Sequence, residues 1–296
     1  VKVYYYKTTG RANQIRLTLA AGNIEFTDDF AEFPPSGAQK AAWMEISGGN
    51  LTFNCPMMTL DENTDRKKVY LQSSAILRKA ARMGKLVLEI KDDEDQAKYL
   101  EDKLIADAED FRSAAYKSFV PFGATKEAVD EFINEVFPKH AKNFERQLVE
   151  GGKNYFYSDK LTVADIAVYD AIVFMGSARI SGIPSKIGAD PFGFVAPALK
   201  PWVERVQSTP GIKKYFESEQ YGQLKKFDKA TLGYGEEKPA EETPPAEEEK
   251  PAETPPAEEE KPAETPAEEE KPAETPATEE KTAETPAEEE KAETTE

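Results

Sequence analysis

The chain has 296 residues, and its formal charge of −18 is distributed very unevenly. From Glu236 onward it contains 24 Glu, 6 Lys and 11 Pro and no aromatic residue, so the charges of residues 1–235 balance. This balance excludes an electrostatic case for nucleic-acid binding, which requires a basic surface. With a single cysteine, an internal disulfide framework is excluded and a reducing compartment is favoured.

The sequence also limits location and chemistry. No apolar run approaches the ~18 residues of a membrane span, and no signal-peptide pattern is visible, so the expected location is cytoplasmic. We find no metal-ligand cluster, phosphate-binding loop or Ser-His-Asp set, and we predict no metal site.

Residues 1–84 predict a mixed α/β domain of order β-α-β, loop, β-β-α. Strand propensity and helix stop signals support this order, because a β-α-β unit builds a parallel sheet. The predicted elements are strands at 2–6, 24–30, 57–60 and 67–71, a helix ending at Gly22-Asn23, a loop over 31–54, a turn at 61–63 and a helix over 73–83.

After a linker at 85–92, residues 93–228 predict an all-α domain, because apolar residues recur at three- and four-residue spacing. The predicted helices cover 93–119, 125–149, 166–175 and the regions near 197–207 and 210–220. Thr162 and Asp165 form a variant capping box ahead of the apolar helix, so Asp165 is predicted to serve folding rather than catalysis. The lone His140 is predicted to be solvated on a polar helix face.

The remaining residues, 229–296, predict a disordered tail rich in Pro and Glu. Its lysines fall at positions 238 to 291 with a spacing that drifts from twelve to ten, unlike stacking repeats. Without apolar side chains to bury, the tail cannot offset the entropy of ordering.

Two short stretches together suit an extended acidic peptide. Pro56 belongs at the first residue of a strand or in a turn, and a cis bond before it would leave the backbone of Cys55 free to pair with a ligand. Gln72 and Ser73 lie at a predicted helix N-terminus, where free N–H groups and the helix dipole favour a carboxylate.

These stretches and several others occur in an order that resembles the cytosolic glutathione transferases of the tyrosine type. Trp43 and the Tyr-x-x-x-x-Gly-Arg-Ala opening resemble most the sigma class, which includes prostaglandin D synthases and S-crystallins. The resemblance covers residues 1–228, and its motifs are Tyr5 to Arg16, Trp43 to Ile46, Pro56, Gln72-Ser73, residues 158–165 and residues 199–215.

The resemblance implies a thioredoxin-like domain over 1–84, a homodimer, glutathione as co-substrate and a hydrophobic electrophile as second substrate. Tyr5 matches the family's catalytic tyrosine, whose phenol stabilises the thiolate form of glutathione. Strand alternation places Tyr5 on the face opposite Tyr4 and Tyr6. The alternative is a sheet tyrosine that only packs in the core.

The resemblance also implies further site residues. The predicted glutathione contacts are Arg11, Trp43, Asn54, Cys55, Pro56, Gln72 and Ser73, with Asp107 as the nearest match to an acid from the second subunit. The predicted lining of the hydrophobic pocket is Phe111, Tyr116 and Phe119, although aromatic residues at helical spacing are more often core.

Two departures keep alternative functions open. Ser47 and Asn54 stand where the family expects lysines, and lost charged contacts weaken binding. The alternative is therefore a weak or inactive structural relative, and a third class is a glutathione-dependent isomerase that uses the same site. The tail would act either as a solvating brush or as a docking arm for a basic partner.

Overall fold

The computed structural model describes residues 1–33, 35–50, 54–61, 64–183 and 185–233. The predicted tail beyond residue 233 and part of the predicted turn at 61–63 lie outside these ranges. Within them, no helix is both long and apolar enough to cross a membrane.

A four-stranded sheet of order β2-β1-β3-β4 forms the first layer. β1 runs parallel to β2, which requires a crossover helix, and β3 is antiparallel to both β1 and β4. The strands are β1 (Lys2–Tyr6), β2 (Thr27–Ala31), β3 (Met57–Leu60) and β4 (Lys68–Leu71). Three helices accompany the sheet: α1 (Asn13–Ala21), α2 (Gly37–Ile46) and α3 (Ser73–Gly84).

The sheet agrees with the prediction except at the start of β2. The predicted strand began at Ile24, but the N–H of Ile24 donates to the carbonyl of Leu19 at 2.9 Å. This bond belongs to the C-terminal closure of α1, so the strand begins only at Thr27.

The predicted loop over 31–54 was wrong, because it contains helix α2. The side chain of Ser36 accepts a hydrogen bond from the N–H of Gln39 and thereby caps the helix. The ring of Trp43 packs edge-on against Tyr4 with centroids 6.2 Å apart. The helix therefore covers the sheet face to which Tyr4 points.

The rest of the described chain is helical, as predicted. Its buried core also includes apolar side chains of α1 and α3 and so joins the helical domain to the sheet domain. The helices are α4 (Glu94–Tyr116), α5 (Lys126–Glu131), α6 (Phe137–Gly151), α7 (Val163–Tyr169), α8 (Ala178–Ile180), α9 (Lys186–Ala189), α10 (Pro191–Val195), α11 (Leu199–Gln207), α12 (Pro210–Phe216) and α13 (Glu219–Gly222).

Two of the predicted helices contain π-helical segments. The predicted helix at 125–149 is α5 and α6 joined by a π segment, Phe132–Val136, just before Pro138. Proline lacks an N–H and cannot continue the normal hydrogen-bond ladder. A second π segment, Asp170–Ser177, continues α7, and such segments occur frequently at functional sites.

The capping box at the start of α7 is present, as predicted. The carboxylate of Asp165 accepts hydrogen bonds from the backbone and hydroxyl of Thr162, from the N–H of Phe156 and from the indole of Trp202. Burial raises the pKa of Asp165 to about 6, while these donors oppose the shift. Asp165 therefore joins α7 to its surroundings and serves the fold.

The folded region extends past the predicted boundary at residue 228. Lys229–Leu232 form a 3-10 helix, and the side chain of Leu232 is buried. The hydroxyl of Thr231 accepts a hydrogen bond from the buried guanidinium of Arg179. These contacts attach the segment to the helical domain.

His140 is half-buried, which corrects the prediction of a solvated histidine. Its ring lies 5.3 Å from that of Phe111 and 6.5 Å from that of Phe144, centroid to centroid. Burial lowers the pKa of His140, so a neutral imidazole packs against the core at neutral pH.

Candidate active site

The phenol of Tyr5 is the centre of the candidate site. Tyr5 lies near the C-terminal end of β1, and 6% of the residue is exposed. Its hydroxyl oxygen accepts a hydrogen bond of 3.0 Å from the main-chain N–H of Arg11. No group in the described ranges accepts the hydroxyl hydrogen, so Tyr5 can donate it to a ligand.

The turn after β1 is shaped to receive this phenol. A Cβ atom built on Gly10 would lie 2.6 Å from the Tyr5 hydroxyl, closer than real Cβ atoms come. Gly10 also has a φ of +39°, a conformation that side chains disfavour. Only glycine allows the hydroxyl and the N–H of Arg11 to meet here.

The phenol remains protonated at neutral pH. Burial raises the pKa of Tyr5 well above its ordinary value, and the Arg11 N–H lowers it less. A protonated phenol that already accepts one hydrogen bond is oriented as a donor, which is the state needed to stabilise an anion.

Arg11 adds positive charge beside this phenol. Its guanidinium forms an ion pair with Glu109 of α4 and lies 5.5 Å from the centroid of the Tyr116 ring. The side chains of Arg11 and Glu109 are 31% and 29% exposed, so the pair lies at the rim of the site. Sequence reasoning missed Glu109, because nothing in the helix pattern shows which acid faces Arg11.

The segment before β3 has the expected backbone. The Cys55–Pro56 bond is cis, and the pairing of β3 with its neighbours begins only at Met57, so Cys55 lies outside both ladders. The hydroxyl of Tyr6 is close enough to the Cys55 thiol to favour its thiolate form, but this effect is the smaller one. Burial raises the pKa of this thiol, which makes it a poor nucleophile.

Gln72 and Ser73 form an open helix N-terminus, as predicted. No side chain caps the first turn of α3, and the turn contains no acidic residue. Gln72 has a φ of 70° and a ψ of 114°, a strained conformation of a kind that clusters at ligand sites. The free N–H groups suit an anionic group of a ligand.

Trp43 and Ser47 do not present open ligand contacts. The indole N–H of Trp43 donates to Asp29 at 3.0 Å, and the residue is only 2% exposed. The hydroxyl of Ser47 donates to the carbonyl of Met44 at 2.6 Å. The structure thus uses Trp43 in core packing, contrary to the expectation of a ligand contact.

The other two predicted polar contacts differ in exposure. Asn54 is exposed ahead of the cis bond. The carboxylate of Asp107 accepts hydrogen bonds from Lys103 at 2.8 Å and from Gln147 at 3.0 Å. Asp107 is therefore held within its own helical domain, and a role across a dimer interface stays a prediction.

Two of the three predicted pocket aromatics belong to the core instead. Phe111 is fully buried against the rings of Phe132 and Phe137. Phe119 is 1% exposed, and the guanidinium of Arg179 lies 3.8 Å from its ring centroid. Among the three, Tyr116 is the residue that lies at the site, beside Arg11.

An aromatic surface lies next to the site, and of its residues only Tyr116 was predicted. It consists of Tyr6, Phe33, Tyr116 and Phe122, and we call it the aromatic rim. The ring of Phe33 lies 4.9 Å from Tyr6 and 5.9 Å from Phe122, although Phe33 and Phe122 are 60% and 55% exposed. Phe33 and Phe122 come from different domains, and their exposed rings can contact an apolar group.

Away from this site, the described residues form a separate cleft but no cluster of potential metal ligands. A cleft of about 980 Å³ lies where β1 and β2 begin, and neither Tyr5 nor Arg11 lines it. Among the residues that are described, no group of three or more His, Cys, Asp or Glu could hold a metal ion.

Comparisons with known proteins return members of one family. The model of the family "Glutathione S-transferase, C-terminal domain" matches residues 109–219. The chain is 30% identical over 173 residues to the glutathione S-transferase class-mu 28 kDa isozyme of Schistosoma japonicum, covering 58% of this chain and 79% of the relative. It is 28% identical over 221 residues to a Gallus gallus glutathione S-transferase, covering 73% and 87% respectively.

Solved structures show the same fold at lower identity. The Pi-class glutathione S-transferase of Onchocerca volvulus is 22% identical with a TM-score of 0.57, and the match covers 75% of this chain and 95% of that one. The prostaglandin synthase D of Nilaparvata lugens is 22% identical with a TM-score of 0.55, covering 74% and 97%.

Proposed function

Because the chain belongs to the glutathione S-transferase family, whose enzymes use glutathione as co-substrate, we propose that Tyr5 activates the glutathione thiol in this protein. The observation that carries the proposal is the Tyr5 hydroxyl, held by the N–H of Arg11 with its hydrogen available to a ligand.

The other described residues fit the shape and charge of that tripeptide. The open N-terminus of α3 at Ser73 would take the γ-glutamyl carboxylate, because its N–H groups lack a cap. The backbone of Cys55, which lies outside both ladders, would pair with the cysteinyl unit. This extended placement directs the ligand's sulfur toward Tyr5.

Tyr5 would then act by stabilising charge. Its phenol donates a hydrogen bond to the sulfur and favours the thiolate over the thiol, and Arg11 adds a positive charge nearby. The thiolate is the nucleophile, and it forms a carbon–sulfur bond as the leaving group departs with its electron pair.

The second substrate we propose is a small electrophile with a flat apolar part. The aromatic rim supports this choice, because exposed rings beside the phenol can stack on such a molecule. We place the chain nearest the sigma class on its Tyr5 to Gly10 spacing. The class names among its relatives include mu and Pi as well as a prostaglandin synthase D.

A homodimer in the cytoplasm is the form that we propose. Members of this family usually form dimers, and the single cysteine suits a reducing compartment. For the acidic segment from Glu236 onward we propose a basic partner, since its 24 Glu far outnumber its 6 Lys.

A structural relative with weak turnover is the second candidate. It is favoured by the bond from Trp43 to Asp29 and by the bond from Ser47 to Met44, because neither side chain is open to the tripeptide. Such a protein would still bind glutathione but would show weak or no turnover.

Two successive measurements test the proposal. The first is retention of the full chain on immobilised glutathione, and the second is its rate with a generic aryl halide, compared with Tyr5→Phe. Retention with a rate that falls in the variant supports the enzyme, whereas binding without turnover in the unmutated protein supports the structural relative. A chain that is not retained at all contradicts both.

A further inference from the structure

A buried carboxylate connects the helical domain to the start of α1. Asp170, the first residue of the second π segment, accepts a hydrogen bond of 2.6 Å from the side-chain amide of Asn13. It also forms an ion pair of 2.7 Å with Nη1 of Arg112. The side chains of Asp170 and Arg112 are 1% and 0% exposed, so the pair is shielded from water.

Arg112 connects this pair to the rim of the site. Its Nε lies 3.3 Å from one oxygen of Glu109, and the other oxygen of Glu109 contacts the guanidinium of Arg11. The carboxylate of Glu109 is thus close to two arginines, although the Nε of Arg112 makes no hydrogen bond with any described residue. Ion pairs thus run from Asp170 through Arg112 and Glu109 to the guanidinium of Arg11, and the main-chain N–H of the same residue donates to the Tyr5 hydroxyl.

The charges of Asp170 and Arg112 decide which arginine the carboxylate of Glu109 pairs with. A buried guanidinium needs a close counter-charge, and Asp170 supplies one to Arg112 at the shorter distance. Without that charge, Glu109 becomes the nearest carboxylate to Arg112. Glu109 would then turn toward Arg112 and away from Arg11.

Because Arg11 and Arg112 compete for Glu109, we infer that Asp170 is a positioning residue for the activation of the glutathione thiol. By neutralising Arg112 it leaves Glu109 to fix Arg11 next to the Tyr5 hydroxyl. The inference rests on the proposed function, but it concerns a side chain that does not touch the substrates. Its effect therefore reaches the thiolate only through the placement of Arg11.

The test is the pH midpoint of thiolate formation by glutathione bound to the full chain, followed by ultraviolet absorbance and by the pH profile of kcat/KM. Asp170→Asn keeps the size of the side chain and removes its charge. We expect it to raise the midpoint by about one unit, because a displaced cation no longer favours the thiolate.

A second substitution distinguishes positioning from simple structural support. In the double variant Arg112→Met with Asp170→Leu, the buried cation that competes for Glu109 is also gone, and buried pairs tolerate apolar replacement. We expect its midpoint to return to within a few tenths of a unit of the wild-type value. Should Asp170→Asn not fold, Asp170→Ser replaces it, since serine also removes the charge that neutralises Arg112, and the same upward shift is expected.

The matched control is Thr162→Ala, which weakens the fold at the capping box and should leave the midpoint unchanged. An unshifted midpoint in folded Asp170→Asn or its serine substitute, or a shift that persists in the double variant, overturns the inference. A wild-type chain that forms no thiolate would instead contradict the proposed function itself.

Discussion

Replacing Tyr5 by Phe removes one oxygen from the centre of the site and leaves the ring in place. A hydrogen bond to a charged group contributes about 1.5–3 kcal/mol. Since one pKa unit corresponds to about 1.4 kcal/mol, the pKa of the bound glutathione thiol should rise by about 1–2 units in Tyr5→Phe. At a pH below both midpoints, kcat/KM should therefore fall about 10- to 100-fold.

The sign of the pH dependence follows from the protonation states. The phenol stabilises the thiolate, so the wild-type thiol ionises at lower pH, and activity rises through that lowered pKa. Because burial raises the pKa of Tyr5 well above its ordinary value, the phenol remains a donor through neutral and mildly alkaline pH, and no falling limb is expected there. Toward pH 9 the rates should converge, since a free thiol with a pKa of about 8.5 then ionises unaided.

The assay is conjugation of an aryl halide across this pH range, with Tyr6→Phe as the matched control. That variant also loses one phenol oxygen, but the N–H of Arg11 donates to the hydroxyl of Tyr5 and not to that of Tyr6. Its midpoint should match the wild type. If Tyr5→Phe retained the wild-type midpoint, or if both variants shifted equally, the assignment of the thiol to Tyr5 would be refuted.

Three further predictions concern single residues. Phe122→Ala should raise KM for an aryl electrophile about 2- to 12-fold, since an aromatic pair contributes about 0.5–1.5 kcal/mol, and an unchanged KM would remove Phe122 from the pocket. Gly10→Ala should abolish most turnover, because its Cβ meets the Tyr5 hydroxyl at 2.6 Å; wild-type kcat/KM in a correctly folded variant would contradict this. Thr162→Ala should cost about 1–2 kcal/mol in denaturant unfolding without altering kcat/KM, and equal unfolding midpoints would contradict the capping role.

Local sequence predicted those parts of the fold that local physics determines. β1, α3 and the capping box at Thr162 each depend on a few neighbouring residues, and each is present. Helix α2 was missed because the glycines, prolines and serines around it indicate a loop. Its stability depends on Trp43 packing against Tyr4, which is a tertiary contact that a local pattern does not contain.

The aromatic residues of the site were harder to predict than its polar residues. Phe111 lies on a helix at a spacing that fits either a core or a pocket, and only the packing of Phe132 and Phe137 shows that it is core. Phe33 and Phe122 lie in connections without periodicity and meet only after the two domains dock. Sequence spacing carries no information about such a meeting.

The partners of the acidic residues of α4 could not be predicted from the sequence either, and these partners affect the mechanism. Asp107 and Glu109 are two residues apart on one helix, so they point in different directions and cannot take the same role. The rotation of α4 relative to α1 places Asp107 in contact with Lys103 and Gln147, and it places Glu109 in contact with Arg11. That rotation is held in part by the buried pair of Arg112 with Asp170. The charge beside the Tyr5 phenol is therefore set by how the two domains pack, and substitutions in the buried pair should alter the chemistry without touching the substrates.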